Sequence, residues 1–288
     1  MARAAVETAV LDALLVARGE RLIDLLATSS GGEHQERVPC GVSVGIPVDE
    51  SVESLLAEVA TYLDAGYRRI KLKIEPGWDV QAVRAVRETW PDVPLQVDAN
   101  QAYTLAEEHV AALAALDPFD LLLVEQPLSE HDLIGHVALA ERIETPVCLD
   151  ESVISLETCE QILDLGAASI INIKPGRVGG YLESVAIHDL CREREVAVWC
   201  GGMLETGIGR AANLALASLP GFVLPGDTSA SSRYYARDVT TPFVLDDEGF
   251  LDVPTGAGAG VTPDAESLAA LEVWRTPLVR DGVTVGRE

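Results

Sequence analysis

Short runs of β-branched and aliphatic residues alternate along most of the chain with amphipathic stretches of ten to fifteen residues, and this alternation restricts the fold more than any other feature. It is typical of parallel βαβ units, in which a helix crosses from each strand to the next. No glycine-rich phosphate-binding motif follows the first run, which favours a closed α/β barrel of TIM type over a dinucleotide-binding sheet. The eight predicted strands are 40–46, 69–74, 94–100, 121–127, 146–152, 169–175, 196–202 and 221–227.

The two ends of the chain have a different character. Apolar residues at helical spacing predict a helix at 4–18, and the polar run 28–37 predicts a linker. Near the C-terminus, FVLDDEGFLDVP (243–254) predicts a hairpin and DAESLAAL (264–271) a short helix. The glycine-rich PTGAGAG (254–260) does not join a strand to a helix, so it predicts a structural turn rather than a nucleotide-binding loop.

Charged residues close five successive predicted strands, at intervals of 25, 27, 25 and 24 residues. Any one of them alone is more often a solubilising or helix-capping residue, so it is the joint pattern that indicates a site. The C-terminal ends of parallel barrel strands meet on one face, where such enzymes carry their active sites. We therefore expect five side chains to converge on one mouth of the barrel: Lys73, Asp98, Glu125, Asp150 and Lys174.

Asp98, Glu125 and Asp150 come from three consecutive strands and present three carboxylates to one point. Oxygen ligands with no neighbouring His or Cys favour Mg²⁺, with Mn²⁺ as an alternative, over zinc. The five histidines fall in predicted helices or loops, and none forms an HxH or HExxH motif. The structural alternative is that arginine side chains relieve the mutual repulsion of the three acids.

Lysine is rare in this chain, since only three of its 21 basic residues are lysines: Lys71, Lys73 and Lys174. Arginine stays protonated in proteins, whereas lysine can be tuned to accept and return a proton. A codon bias towards arginine is the alternative explanation.

Lys71 and Lys73 are two residues apart on one strand, so both side chains point to the same face, into the barrel. Each is expected to lower the pKa of the other towards that of a general base. Lys174 lies four strands further on and should face the substrate from the opposite side. A Schiff-base lysine is the rival interpretation, but it leaves the three carboxylates without a role.

The composition excludes other classes of function. The chain has 46 acidic and 21 basic residues, and its net charge of −25 makes nucleic acid and anionic membranes poor partners. Five scattered cysteines without a CxxC pair indicate reduced thiols and a cytoplasmic protein. Glu7 and Asp12 stand where a secretory signal would be apolar. The chain contains no run of 18 apolar residues, so no membrane span is predicted. A small anionic carboxylate remains a compatible substrate, and a homo-oligomer remains open.

Five motifs together resemble the enolase superfamily, in its muconate-lactonizing-type subgroup: KLK (71–73), VDAN (97–100), VEQP (124–127), LDES (149–152) and NIKPGRVGG (172–180). Three longer segments resemble, more narrowly, o-succinylbenzoate synthases and N-acylamino acid racemases: 66–79, 201–213 and 225–235. The resemblance covers roughly residues 4–262.

The resemblance implies a role for each matching residue. Asp98, Glu125 and Asp150 would bind Mg²⁺, and Lys73 and Lys174 would be the acid/base pair. Further residues would lie around the substrate or behind these groups: Lys71, Asn100, Arg177, Ser43, Gly201, Gly202 and Met203. Arg177 would adjust the charge near Lys174, and the alternative is an ordinary surface arginine.

The family fold is a (β/α)7β barrel with an α+β capping domain built from both chain ends. The resemblance therefore implies a partial cap, with 1–37 a remnant of its N-terminal part, 38–240 the catalytic barrel and 241–288 the segment that returns to the cap. Most of the cap is expected to lie upstream of Met1. A shortened gene model, a fragment or a degenerate paralogue would explain why this chain starts inside the cap.

The implied activity is that of an o-succinylbenzoate synthase, the Mg²⁺-dependent dehydration of 2-succinyl-6-hydroxy-2,4-cyclohexadiene-1-carboxylate through an enediolate in menaquinone biosynthesis. One alternative is an N-acylamino acid (N-succinylamino acid) racemase that uses Lys73 and Lys174 on opposite faces. Another is a non-catalytic truncated paralogue that binds Mg²⁺ or a partner protein. Dipeptide epimerisation is disfavoured, because GDTSASS (226–232) does not resemble the acidic anchoring motif of that group.

Overall fold

The computed structural model describes residues 1–273, 278–280 and 283–285. Its main sheet has seven parallel strands in chain order, and every connection between neighbours contains at least one helix. This is the curled sheet of a TIM-type α/β barrel, as predicted. The strands are β1 (Arg37–Pro39), β2 (Gly41–Val44), β3 (Arg69–Lys73), β4 (Leu95–Asp98), β5 (Val124–Glu125), β6 (Val147–Leu149), β7 (Ile170–Ile173), β8 (Ala197–Cys200), β9 (Phe250–Asp252), β10 (Leu278–Arg280) and β11 (Val283–Val285).

Helices cover the outside of the sheet. They are α1 (Ala2–Arg18), α2 (Leu22–Leu26), α3 (Val52–Asp64), α4 (Val80–Thr89), α5 (Glu107–Ala114), α6 (Leu133–Ala140), α7 (Leu156–Leu165), α8 (Pro175–Val178), α9 (Tyr181–Glu193), α10 (Gly207–Ala217) and α11 (Ala265–Leu271). Side chains immediately before several helices fix where they begin: Ser51 and Ser155 each accept a hydrogen bond from a backbone N–H in the first turn of α3 and α7.

The predicted eighth strand, 221–227, was wrong as a continuous strand. Phe222 forms a parallel bridge with Val198 on β8, and Gly226 forms one with Cys40 beside β2. Pro225 lies between these bridges and has no N–H for a strand ladder. The segment therefore closes the barrel between the first and last strands of the sheet in an irregular conformation.

The terminal segments agree with the sequence in part. Helices α1 and α11 confirm the predictions at 4–18 and 264–271. The predicted hairpin at 243–254 was wrong. Within this segment, residues 246–250 form only a turn, and β9 pairs antiparallel with the distant β1. The glycine-rich turn is confirmed: Gly258 and Gly260 have φ angles of 67° and 77°, and the Gly258 N–H donates to the Glu20 carbonyl.

The predicted linker 28–37 begins within a 3₁₀ turn (Ala27–Ser30) and ends at β1. Part of the predicted segment 241–288 lies outside the described residues. All five cysteines are free and buried, as predicted for core thiols. No helix in the part of the chain that the structure describes has the length and apolarity needed to cross a membrane.

Candidate active site

The structure places the five charged residues at the same end of the barrel. Lys73, Asp98 and Glu125 are the last residues of β3, β4 and β5, and Asp150 and Lys174 directly follow β6 and β7. In register, Lys73 lies opposite Asp98, which lies opposite Glu125. The predicted convergence on one mouth is therefore confirmed.

The three carboxylates are almost completely buried, with residue exposures of 1% for Asp98 and 0% for both Glu125 and Asp150. Burial, and then the neighbouring Asp98 carboxylate, raise the pKa of Glu125 to about 8. For Asp98, burial acts in the same direction, but the ammonium groups of Lys71 and Lys73 outweigh it and lower its pKa. The cluster thus carries more negative charge than a buried site tolerates without cations.

Lysine side chains supply most of the compensating charge. The Lys73 Nζ lies 2.6 Å from Asp98 Oδ2, and the Lys174 Nζ lies 2.7 Å from Asp150 Oδ2. The other oxygen of Asp150 accepts a hydrogen bond from Arg177. The alternative of relief by arginine therefore holds for one carboxylate, and Arg177 contacts the carboxylate cluster instead of lying free at the surface.

Lys71 lies deeper in the barrel than Lys73 and has a different environment. Its Nζ lies 2.7 Å from Asp227 Oδ2, 3.0 Å from Glu125 Oε2 and 3.4 Å from Asp98 Oδ2. Burial favours the neutral amine, but the three carboxylates outweigh burial and raise the pKa of Lys71 well above its ordinary value. The prediction that Lys71 has a lowered pKa was wrong, because its carboxylate partners outweigh the repulsion from neighbouring cations.

Asp227 also belongs to the charged cluster, although the sequence did not lead us to name it. It is buried, and its carboxylate pairs with Lys71 on one oxygen and with Arg69 at 2.8 Å on the other. Despite burial, these two cations lower the pKa of Asp227. A signal was present, because Asp227 ends the eighth predicted run and so obeys the strand-end rule that found the other five.

Two amides and a further carboxylate complete the arrangement. The Asn172 Nδ2 donates to Glu125 Oε1 at 2.7 Å. The Asn100 Oδ1 accepts from Lys73 Nζ at 2.5 Å, and its Nδ2 donates to Glu151 Oε1 at 3.0 Å. The sequence did not lead us to name Asn172 or Glu151. Asn172 is a single amide within a strand and Glu151 is the second acid of LDES (149–152), so neither follows the spacing that marks the other residues.

The two acid/base candidates come from opposite sides of the mouth. Lys73 belongs to β3, whereas Lys174 follows β7, and the three carboxylates lie on the strands between them. The side chain of Lys73 is 32% exposed and that of Lys174 is 10% exposed. Asp150 and Glu125 raise the pKa of Lys174 against the opposing effect of burial.

The remaining predicted site residues take varied positions. A Cβ on Gly201 would lie 2.3 Å from Asn172 Oδ1 and 2.5 Å from Lys174 Cε, so only glycine leaves room for that lysine. A Cβ on Gly202 would lie 2.5 Å from the backbone oxygen of Asp227. The last two predicted residues have backbone contacts: Ser43 pairs in register with Lys71 and accepts from Arg233 through its carbonyl, and Met203 donates its N–H to Glu205.

The carboxylates fit a divalent cation by the chemistry of their donor atoms. Asp98, Glu125 and Asp150 offer only oxygen donors, from adjacent strands, and burial together with the Asp98 carboxylate raises the pKa of Glu125. The described side chains include no ready-made group of three His, Cys, Asp or Glu ligands, and these acids face lysines and Arg177 instead. A cation would compete with these ammonium groups for the same oxygens.

A TIM-type barrel whose strand ends carry such a cluster of charged side chains has the architecture of the α/β-barrel enzymes, which keep their active sites on that face. The family model for the enolase C-terminal domain-like proteins matches residues 54–267. The chain belongs to the enolase superfamily, as its motifs indicated.

Similar proteins of known name cover most of the chain. An N-succinylamino acid racemase from Amycolatopsis sp. is 57% identical over 95% of this chain and 73% of the relative. An o-succinylbenzoate synthase from Geobacillus kaustophilus is 50% identical over 92% of this chain and 68% of the relative. The structure of an enolase superfamily member from Listeria innocua superposes with a TM-score of 0.86 at 43% identity, over 93% of this chain and 70% of that one.

Proposed function

We propose that this chain is an Mg²⁺-dependent enzyme that removes a proton from the carbon next to a substrate carboxylate, and that its reaction is that of an o-succinylbenzoate synthase in menaquinone biosynthesis. The observation that carries the proposal is the placement of Lys73 and Lys174 on opposite sides of three buried carboxylates. The relatives named o-succinylbenzoate synthase support the specific reaction.

Asp98, Glu125 and Asp150 would hold the Mg²⁺, with Mn²⁺ as the alternative. When bound, the cation supplies positive charge next to the substrate carboxylate and the anion that forms from it. Lys71 and Asn172 each hold one oxygen of Glu125, so they orient this carboxylate.

Lys73 is the base in this proposal. Its amine takes the proton from the substrate carbon, and the electrons of the C–H bond pass towards the carboxylate to form an enediolate. The proton then leaves Lys73 with the departing hydroxide, so that water is the second product. Lys73 is the more exposed of the two lysines at the mouth, which favours it over Lys174 for this double role.

Lys174 acts from the other side as an ammonium group. Asp150 holds its Nζ and Arg177 holds Asp150, so the lysine is fixed in position. Its charge stabilises the anion while Lys73 carries the proton. The missing side chain at Gly201 provides the space that this geometry requires.

The second candidate is racemisation of N-succinylamino acids, which the 57% identical relative of that name favours. Here one lysine takes the α-proton and the other delivers a proton to the opposite face. The same two residues therefore serve both reactions. A non-catalytic protein that binds Mg²⁺ or a partner is disfavoured, because such a role gives the two opposed lysines no function.

The test is to assay the purified protein with both substrates, with and without EDTA. We expect Mg²⁺-dependent turnover of at least one substrate, and loss of that turnover in Lys73→Arg. Arg194→Lys is the matched control, because Arg194 pairs with Asp164 and Glu160 at the surface. Wild-type protein that leaves both substrates unchanged, or EDTA-insensitive turnover, would contradict the proposal.

Two further assignments belong to this proposal. We assign residues 1–37 and 241–288 to a partial capping unit beside the barrel at 38–240, which is supported by the 2.7 Å hydrogen bond from the Leu22 N–H to the Gly258 carbonyl. The protein acts in the cytoplasm, which is supported by its five free, buried thiols.

A further inference from the structure

The Asn100 side chain bridges the proposed base and a carboxylate with no assigned role. Its Oδ1 accepts from Lys73 Nζ at 2.5 Å, and its Nδ2 donates to Glu151 Oε1 at 3.0 Å. The Asn100 N–H donates to Asp98 Oδ1 at 3.0 Å, which anchors the backbone at a φ angle of 39°. Lys73, Asn100 and Glu151 thus form one hydrogen-bonded chain.

The direction of the amide decides what Lys73 meets. An asparagine side chain has an acceptor and a donor of nearly equal size, so a rotation of 180° exchanges them. In one orientation an oxygen accepts from Lys73; in the other, an NH₂ group would face the ammonium and repel it. The Lys73 ammonium itself favours the first orientation, but the neutral amine that acts as a base can also accept from an NH₂ group, so a second neighbour must select the oxygen.

Glu151 makes that selection. Its Oε1 is an acceptor, so it bonds the NH₂ group of Asn100 and turns the oxygen towards Lys73. The other oxygen, Oε2, is buried and has no partner among the described residues, so any proton on this carboxyl can sit there without breaking the bond to Asn100. The selection holds in both protonation states.

Among the residues that the structure describes, none forms such a relay to Lys174. Its Nζ bonds Asp150 directly, and Arg177 holds the same carboxylate. A carboxylate has no donor to turn the wrong way, so its orientation towards a lysine needs no selection. The two lysines are therefore positioned by different devices.

We propose that Glu151 is a positioning residue for proton transfer by Lys73, which it serves by fixing the Asn100 amide with its oxygen towards the lysine. The inference rests on the proposed function, since it assumes that Lys73 moves a substrate proton. It predicts that loss of Glu151 harms one face of the substrate and spares the other.

The experiment measures exchange of the α-proton in D₂O by NMR, starting from each enantiomer of N-succinyl-phenylalanine at saturating Mg²⁺. Lys73→Arg and Lys174→Arg first show which enantiomer each lysine serves. Glu151→Leu should then slow exchange on the Lys73 face by about 10–100-fold, as expected for the loss of a supporting hydrogen bond. Exchange on the Lys174 face should stay within about threefold of wild type.

Matched variants separate the relay from a general structural effect. Glu130→Leu removes a neighbouring acid that lines the same surface pocket, and it should leave both faces near wild type. Glu151→Gln keeps an oxygen for Asn100 and should fall between wild type and Glu151→Leu. If the leucine variant does not fold, the near-isosteric glutamine variant carries the face-selective test.

A double-mutant cycle tests whether Glu151 acts through Asn100. In an Asn100→Ala background, Glu151→Leu should cause no further loss on the Lys73 face, because the bridge is already absent. Equal loss on both faces, or full additivity with Asn100→Ala, would overturn the inference alone. Wild-type protein that neither exchanges this α-proton nor dehydrates the synthase substrate would overturn the proposed function and the inference with it.

Discussion

The barrel mouth has two levels that use the same kinds of charge differently. The floor consists of Arg69, Lys71 and Asp227, and the rim carries Lys73 and Lys174. Lys71 and Lys73 are only two residues apart on β3, yet their side chains are 2% and 32% exposed. Lys71 faces three carboxylates, whereas Lys73 pairs with one carboxylate and one neutral amide.

From this difference we infer that depth in the barrel, rather than residue type, separates structural from reactive lysines. In the floor, each cation is paired and removed from water, so removing one partner leaves a buried charge. At the rim, the lysines keep access to the open mouth, where a substrate can displace a group that the lysine binds in its absence.

The largest effect is expected at the rim. Lys73→Arg should lower turnover by about 10³-fold or more, because arginine keeps the charge but cannot act as a base. The variant should fold normally, since the residue is partly exposed. Steady-state kinetics and thermal unfolding measure the two effects. Substantial turnover by the arginine variant would remove Lys73 from the role of base.

The floor should respond in stability. Asp227→Asn leaves Lys71 and Arg69 without their shared anion, and we expect a loss of about 3–5 kcal/mol in the free energy of unfolding. The control is Asp164→Asn, which breaks the exposed pair with Arg194 and should cost less than about 1 kcal/mol. Urea unfolding compares the two variants. Equal losses would show that the floor is no more sensitive than the surface.

The pH dependence of stability sharpens the comparison, because Glu125 and Asp227 have pKa shifts of opposite sign. Glu125 has its pKa raised from 4.5 to about 8, so the metal-free folded protein keeps a proton that the unfolded chain has lost. Its stability should therefore fall as pH rises from 5 to 8, by up to about 1.4 kcal/mol per pH unit.

Saturating Mg²⁺ should flatten this slope, because the cation replaces the proton as the partner of Glu125. Asp227, with its lowered pKa, contributes stability that is lost only at acidic pH. Unfolding midpoints at several pH values, with EDTA or with Mg²⁺, provide the measurement. The same slope under both conditions would contradict a cation site at Glu125.

The smallest expected effect concerns the space around Lys174. Gly201→Ala would place a methyl group against Lys174 and Asn172, and we expect activity to fall by about tenfold as the lysine shifts. Gly45→Ala is the control, since a Cβ there meets no atom within 4 Å. An unchanged kcat in Gly201→Ala would show that the position of Lys174 is not tightly constrained.

The sequence predicted the barrel and the rim well, because both follow from short-range regularities. The βα period locates each strand end, and a spacing of two puts Lys71 and Lys73 on one face. Which lysine is enclosed depends on Asp227, and the spacing of the two lysines carries no information about that partner. The pairing of β9 with β1, over 200 residues apart in the chain, is a similar long-range contact that local hairpin signals do not reveal.

The most direct test of the division between floor and rim is α-proton exchange in D₂O from each enantiomer of an N-succinylamino acid, compared among Lys71→Arg, Lys73→Arg and Lys174→Arg. The two rim variants should each retain exchange for one enantiomer only, opposite in the two cases, and neither should racemise. Lys71→Arg should slow both enantiomers to a similar extent, because it perturbs the floor beneath both. If Lys71→Arg instead abolishes exchange of a single enantiomer while Lys73→Arg exchanges both, the base lies in the floor and the account is contradicted.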